Sequence, residues 1–337
     1  MLKNLHNLNF DSNLYDKKSS KKKLQQSNLF AIPNLLDKKD LRKQPLELIK
    51  ICEKIFSKGK RLRAHLVSFI GHNIGLDQKE NIFLSRIIEY IHNSSLLHDD
   101  FIDHSKIRRQ NKTAWFEFSP AQAVLAGDYL IAKVNIYLAQ QKNLSLINKT
   151  ATVISELAKG EFLQREVLYF KNKDLKQRDK ISEFKTASLF KWCLQSPFIY
   201  KNRYNLKLEK LLNQIGLYMG LLFQRSDDLM DFNVRNKDKK NYLVDIKQKH
   251  FNSFACFLLK NASKNQQKKL QTVRSASAVY KIFPNFKDQI KNFDNINYEL
   301  IKKTELKLEK LQLFLTKKEQ KLIPHLKRWT NLLYWRK

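Results

Sequence analysis

Only seven glycines and six prolines punctuate 337 residues, too little turn chemistry for a many-stranded sheet, so long helices are the main way this chain can fold. The same scarcity removes the Gly-rich loop that a Rossmann cofactor site or a P-loop requires. With 42% hydrophobic residues the chain can bury a sizeable core, and no Pro/Gly/Ser-rich linker divides it. The expectation is an all-α, single-domain bundle of long helices.

A run containing Ile87, Ile88, Tyr90, Ile91 and Leu97 keeps close to a 3.6-residue period and then ends in Asp99, Asp100 and Asp103. Asp99 and Asp103 stand four residues apart. On a helix both carboxylates leave one face, where they repel unless a divalent cation joins them. The pattern returns downstream: Leu208, Leu211, Leu212, Ile215, Met219, Leu222 and Phe223 form a stripe that closes on Asp227, Asp228 and Asp231. One acidic triplet is more often a solvated surface. Two with the same spacing, each ending an apolar helix, favour a paired metal site. Arg108 and Arg109 follow the first triplet, and guanidinium forks suit phosphate oxygens. Lys60, Arg61 and Arg63 crowd the start of an earlier helix, a cluster that by itself is usually a solvated end.

From about Lys58 to Asp231 these features resemble the trans-prenyl diphosphate synthases, the polyprenyl synthetases. The resemblance implies an isoprenoid synthase-like bundle in which the two triplets face each other across a central cavity. It also implies a Mg2+-dependent prenyltransferase that condenses isopentenyl diphosphate with an allylic diphosphate. Metal would fall to Asp99, Asp100, Asp103, Asp227, Asp228 and Asp231; Lys185 would bind the allylic diphosphate, and Thr186 and Gln224 would steady the reacting cation. Isopentenyl diphosphate would meet Lys60, Arg63, His92 and Arg109, with Arg108 facing the allylic diphosphate and Lys240 on a closing lid. His98 is read as a hydrogen-bonded structural residue. Gly127-Asp128-Tyr129 is expected to open a cavity-lining helix, and Gly160-Glu161 with Gln164 to sit on another. A homodimer is implied as well.

The chain departs from the family's pattern at three places. Ala64 replaces the proline of the Gly-Lys-Arg-x-Arg-Pro motif, Gln110 stands where Gly is usual, and KDKKNYLVDIKQKHF, with Lys240 and Asp245, lacks the lid's glycines. Gln110 and the glycine-poor lid support one alternative, a catalytically weak regulatory subunit of a heteromeric synthase. Another alternative, an HD-type metal phosphohydrolase, would use His92, His98, Asp99 and Asp103 but leaves the second triplet unexplained. Upstream of Asp99 stand the small Ser95 and Ser94, where short-chain members of the family commonly have a bulky aromatic, so the resemblance implies an open shaft and a product longer than farnesyl diphosphate, unless Tyr90 or Tyr137 closes it.

Net charge is +32, which by itself suggests nucleic acid or anionic lipid. Its lysines are spread along the whole chain and no zinc-finger or RNA-recognition spacing appears, so nucleic acid is disfavoured. Diphosphate collection and peripheral contact with an anionic membrane remain as uses of the field. Residues 1–40 read as a loose basic arm and 41–337 as the catalytic domain, with divergent, peripheral Lys-rich helices from about 262. Three isolated cysteines, no apolar run of about 18 residues and no secretory h-region fit a soluble, cytoplasmic protein.

Overall fold

The computed structural model describes residues 35–57, 59–108, 111–171, 173–232 and 243–335. Arg109, Gln110, Lys240 and the basic cluster within 17–23 lie outside the described residues.

Short polar residues that cap free amides set where the long helices begin. After α1 (Leu46–Ser57) and α2 (Leu62–Asn73), Asp77 opens α3 (Gln78–Ile102) with a reciprocal capping box. The Asp77 carboxylate accepts from Glu80 N at 2.8 Å, and Glu80 accepts from Asp77 N at 2.7 Å. Ser119 caps α4 (Pro120–Gln141), whose proline occupies a position where no amide hydrogen is needed. This cap moves the helix start seven residues upstream of the expected Gly127. That glycine serves a close approach instead, since a Cβ there would lie 2.3 Å from His98 Nε2. Asn143 caps α5 (Leu144–Glu166). Helix α6 (Leu175–Ser182) runs through one π-helical turn, Glu183–Ala187, into α7 (Ser188–Tyr200). Asn205 then caps α8 (Leu206–Asp231).

The predicted stripes are buried. Leu84, Ile87, Ile88 and Ile91 of α3 and Leu212, Ile215 and Met219 of α8 share one core with Trp192 and Phe190 of α7. Helix α7 packs against α2, α3, α5 and α8, so it holds the two aspartate-bearing helices on either side of itself. The only strand pairing among the described residues is a two-residue antiparallel ladder, Ile107–Arg108 with Asn111–Lys112.

Two boundaries differ from the sequence reading. Leu35, Leu36 and Asp40, within the expected arm, are packed: the buried Asp40 carboxylate accepts from Tyr90 Oη at 2.8 Å, Tyr137 Oη at 2.6 Å and Lys133 Nζ at 2.7 Å. The C-terminal helices, following α9 (Ser253–Leu259), are integral and not peripheral. Helix α10 (Phe286–Leu311) buries Phe293, Asn297, Ile301, Thr304 and Leu308 against α8, and α11 (Leu322–Tyr334) puts Leu326 and Leu333 into the main core. Their lysines occupy only the outer faces. Arg225 of α8 donates to Asn297 Oδ1 at 3.0 Å and Ser226 Oγ donates to the Tyr334 carbonyl at 2.8 Å, which fixes both helices beside the second triplet.

Candidate active site

The same 21 residues separate Gln78 from Asp99 and Leu206 from Asp227, so at about 1.5 Å per residue both aspartates ride roughly 30 Å above their helix starts. Each triplet sits at a helix C-terminus, where the dipole already places partial negative charge. Carboxylates there need hydrogen-bond donors or cations to offset it.

In the first triplet, Asp100 is buried and accepts from Arg108 Nε at 2.7 Å. Asp99 and Asp103 have charged neighbours. Burial, opposed by Lys185 and reinforced by Glu161 and Asp103, lifts Asp99 to about 6. Asp103 is also raised, by burial against the pull of Lys185, with Glu161 and Asp245 adding to it. Lys185 Nζ donates to Glu161; burial works against its charge, but Asp99, Glu161 and Asp103 together raise it above the usual lysine value.

The second triplet is tied to the segment that follows it. Buried Asp228 accepts from Gln224 Nε2 and from the Ser253 amide, both at 2.8 Å. Asp231 accepts from the Val244 amide at 2.8 Å and the Asp245 amide at 3.3 Å. Burial and then the Asp245 carboxylate push Asp231 up to about 8. Asp228 is raised by the same two causes. Burial would raise Asp245 too, but His250, at 3.0 Å, with Arg178 and Asn252, holds it down at about 2. Asp245 thus acts on Asp103 of one triplet and on Asp228 and Asp231 of the other, so the two helix ends converge.

Between them lies the π-helical turn carrying Lys185 and Thr186. Thr186 Oγ1 donates to Gln224 Oε1 at 2.8 Å, and Gln224 passes the bond on to Asp228. The turn fits closely because Gly160 and Gly220 face it: a Cβ would stand 2.6 Å from Lys185 Cγ at the first and 2.3 Å from Ala187 Cα at the second.

A second cationic site adjoins this one. Arg63, buried at the foot of α2, meets His92 Nε2 at 3.1 Å and lies 5.5 Å and 5.6 Å from the ring centres of Phe190 and Phe223. Lys60 is exposed three residues earlier. His98 meets the Val124 carbonyl at 3.2 Å and fills the space over Gly127, a structural role. The wall upstream of Asp99 needs a correction. Tyr90, nine residues back, is half a turn round α3 and packs toward Tyr137, away from the Asp99 face. Ser94 is turned away as well and donates to the Gly127 carbonyl at 2.9 Å. Ser95, four residues back, shares the Asp99 face and donates to the His92 carbonyl at 2.9 Å.

Glu161, His250, Asn252 and Ser253 were missed as site residues. Glu161 had a signal, the Gly160-Glu161 pair; the others act through bonds that only tertiary contact creates. Hard carboxylate oxygens with raised proton affinity at two helix ends fit Mg2+. Among the described residues, however, no three His, Cys, Asp or Glu side chains already converge in a metal-holding arrangement. Asp100, Asp228 and Asp231 already have oxygens engaged with protein donors.

A family model described as polyprenyl synthetase matches residues 45–281, more than half of the chain. The chain is 38% identical over 194 residues to solanesyl diphosphate synthase 2, chloroplastic, of Arabidopsis thaliana, a match covering 55% of this chain and 46% of that one. To octaprenyl diphosphate synthase of Escherichia coli it is 30% identical over 178 residues, covering 52% and 54%. The chain therefore spans about half the length of the curated relatives it matches. A crystal structure of polyprenyl synthase from Caulobacter crescentus, complexed with calcium and isoprenyl diphosphate, superposes with a TM-score of 0.76 at 21% identity, covering 94% of this chain and 97% of that one. At that identity the likeness concerns the fold alone.

Proposed function

Because the chain belongs to the polyprenyl synthetase family, we propose that it is a Mg2+-dependent prenyltransferase condensing isopentenyl diphosphate with an allylic diphosphate to give a polyprenyl diphosphate longer than farnesyl. The observation that carries this reading is the convergence of two carboxylate helix ends around Lys185, Thr186 and Gln224. Solanesyl and octaprenyl diphosphate synthases among the relatives support the longer product.

Asp99, Asp103 and Asp227 would hold the metal, with Asp100, Asp228 and Asp231 keeping those helix ends in shape. Bound Mg2+ supplies positive charge for the departing diphosphate. Lys185 and Arg108 add cations on the same oxygens as the allylic carbon–oxygen bond breaks and its electron pair leaves with the diphosphate. The Thr186 hydroxyl and the Gln224 amide place polar oxygens beside the allylic cation. Lys60, Arg63, His92 and Arg109 would seat isopentenyl diphosphate so that its double bond attacks that cation, and Lys240 would close over the site. The proton then released goes to the departing diphosphate. The same reading makes the enzyme a homodimer in a reducing, cytoplasmic setting, where the buried Cys52, Cys193 and Cys256 stay as thiols.

The test is incubation of the purified chain alone with labelled isopentenyl diphosphate, Mg2+ and several allylic starters, followed by product sizing. Polyprenyl products longer than farnesyl are expected. No product with any starter would sink the reading and favour the regulatory-subunit alternative.

A further inference from the structure

The end of the bundle farthest from the aspartates carries the most exposed aliphatic side chains of the described residues. Leu313 is 86% exposed, Leu144 79% and Leu206 74%. They belong to three separate elements: the turn after α10, the start of α5 and the start of α8. Hydrogen bonds bring these elements onto one face. Asn143 Nδ2 donates to the Ile199 carbonyl at 3.5 Å, and Tyr200 Oη donates to Gln141 Oε1 at 3.0 Å. Arg203 donates to Glu319 at 2.6 and 3.0 Å and to the Phe314 carbonyl at 3.2 Å. Interior packing does not account for the leucines, since each points away from the core that its neighbours fill.

The charge around them is one-sided. Lys142, Lys207, Lys210, Lys310, Lys317 and Lys318 are exposed and form no ion pair among the described residues. Three acids of this face are matched, Glu209 by Lys149 at 3.0 Å, Glu319 by Arg203 and Glu80 by Lys201 at 3.8 Å, while the exposed Asp77 caps the Glu80 amide at the start of α3, so the cations are in clear excess. Apolar tips set among unmatched cations suit a surface that offers hydrocarbon beneath anionic oxygens.

We infer that this face docks onto a bilayer containing anionic lipid, with Leu144, Leu206 and Leu313 entering the headgroup boundary and the lysines meeting lipid phosphates. A nucleic acid would match the charge but offers nothing to three aliphatic tips, and the three carry no aromatic ring on which a base could stack. A second copy of the same face would bring like charges together. The inference rests on surface chemistry and not on the proposed reaction. If that reaction holds, a hydrocarbon growing down the Asp99 face of α3 points toward the lipid.

The test is sedimentation of the full chain, without substrate, on vesicles of phosphatidylcholine alone and of phosphatidylcholine mixed with phosphatidylglycerol. Binding should require phosphatidylglycerol and weaken with salt. The triple variant Leu144→Ser, Leu206→Ser, Leu313→Ser should bind at least about tenfold more weakly, as should Lys317→Glu with Lys318→Glu, with melting temperatures unchanged. All five positions are exposed, so folding should survive; should the triple variant melt early, the single change Leu313→Ser carries the comparison. Undiminished binding by the leucine variants would assign the effect to diffuse charge and overturn the proposal. So would absence of binding to anionic vesicles, displacement of vesicles by duplex DNA that the leucine variants bind equally well, or a leucine-dependent dimer with unaltered vesicle binding. Condensation by these variants in solution should match the parent, so failure of the proposed reaction and failure of docking are read separately.

Discussion

At the end of α3 the middle aspartate is held by a side chain, Arg108, whereas at the end of α8 the middle and last aspartates are held largely by backbone amides of Ser253, Val244 and Asp245. The first triplet is thus bound to a partly exposed guanidinium that substrate can compete for. The second is bound into the polypeptide itself, and its geometry depends on a segment that a Phe-rich core of Phe232, Phe251, Phe254, Phe286 and Phe293 keeps in place. Identical spacing gives two different devices: one adjustable, one anchored.

The largest effect should come where the two devices are alike. Asp99→Ala and Asp227→Ala should each lower kcat by about 100-fold or more, as should removal of Mg2+ by a chelator. Near-normal turnover in either variant would break the paired-clamp reading.

The next effect separates them by pH. Asp99 at about 6 and Asp231 at about 8 both lie above the ordinary carboxylate value, so below those values the folded protein holds protons that the unfolded chain has released. Stability should therefore fall as pH rises, through about 6 for the first triplet and about 8 for the second. Asp245, depressed to about 2, acts with the opposite sign: its contribution is present above the ordinary value and lost as pH falls through about 2. Melting curves across pH should show the decline, Asp231→Asn should remove its upper part, Asp99→Asn its lower part, and Mg2+ should stabilise more at the alkaline end. A metal-free protein that grows more stable through this range would contradict the electrostatics.

Smaller effects concern the middle aspartates. Asp228→Asn leaves the buried Ser253 amide or the Gln224 amide facing a donor, and denaturant melts should show a loss of about 2 kcal/mol. Asp100→Asn, which weakens a bond to the partly exposed Arg108, should cost about 1 kcal/mol or less. Equal losses in the two variants would erase the distinction between anchored and adjustable ends.

Both triplets were legible in the sequence because helical period places each aspartate on a face without reference to distant chain, whereas Arg63 with His92 and Thr186 with Gln224 were singled out only through the family resemblance. Legibility failed where a polar residue does an apolar residue's work. Asn297 and Thr304 interrupt the stripe of α10 in sequence, yet both are fully buried and hydrogen-bonded, so a core helix reads as a peripheral one. Ser94 misled for a related reason. Its small size suggested open space, while its hydroxyl is an acceptor-seeking group that ties α3 to α4. The amides that hold Asp228 and Asp231 carry no residue identity at all, and no reading of side chains could have found them.

Gly160, Gly216 and Gly220 place helices α5 and α8 so near residues 184–191 that a Cβ would stand 2.6 Å from Lys185 Cγ, 2.6 Å from Lys191 Cα and 2.3 Å from Ala187 Cα respectively. Glycine is scarce in this chain, and the segment after Asp231 has none. All three positions abut backbone, Gly160 through Lys185 N at 2.9 Å, and backbone cannot be trimmed to make room, so compensating substitutions nearby have little to offer. In a saturating mutational scan they should stand as fixed points, tolerating nothing, in the midst of helices whose outer faces accept almost any residue.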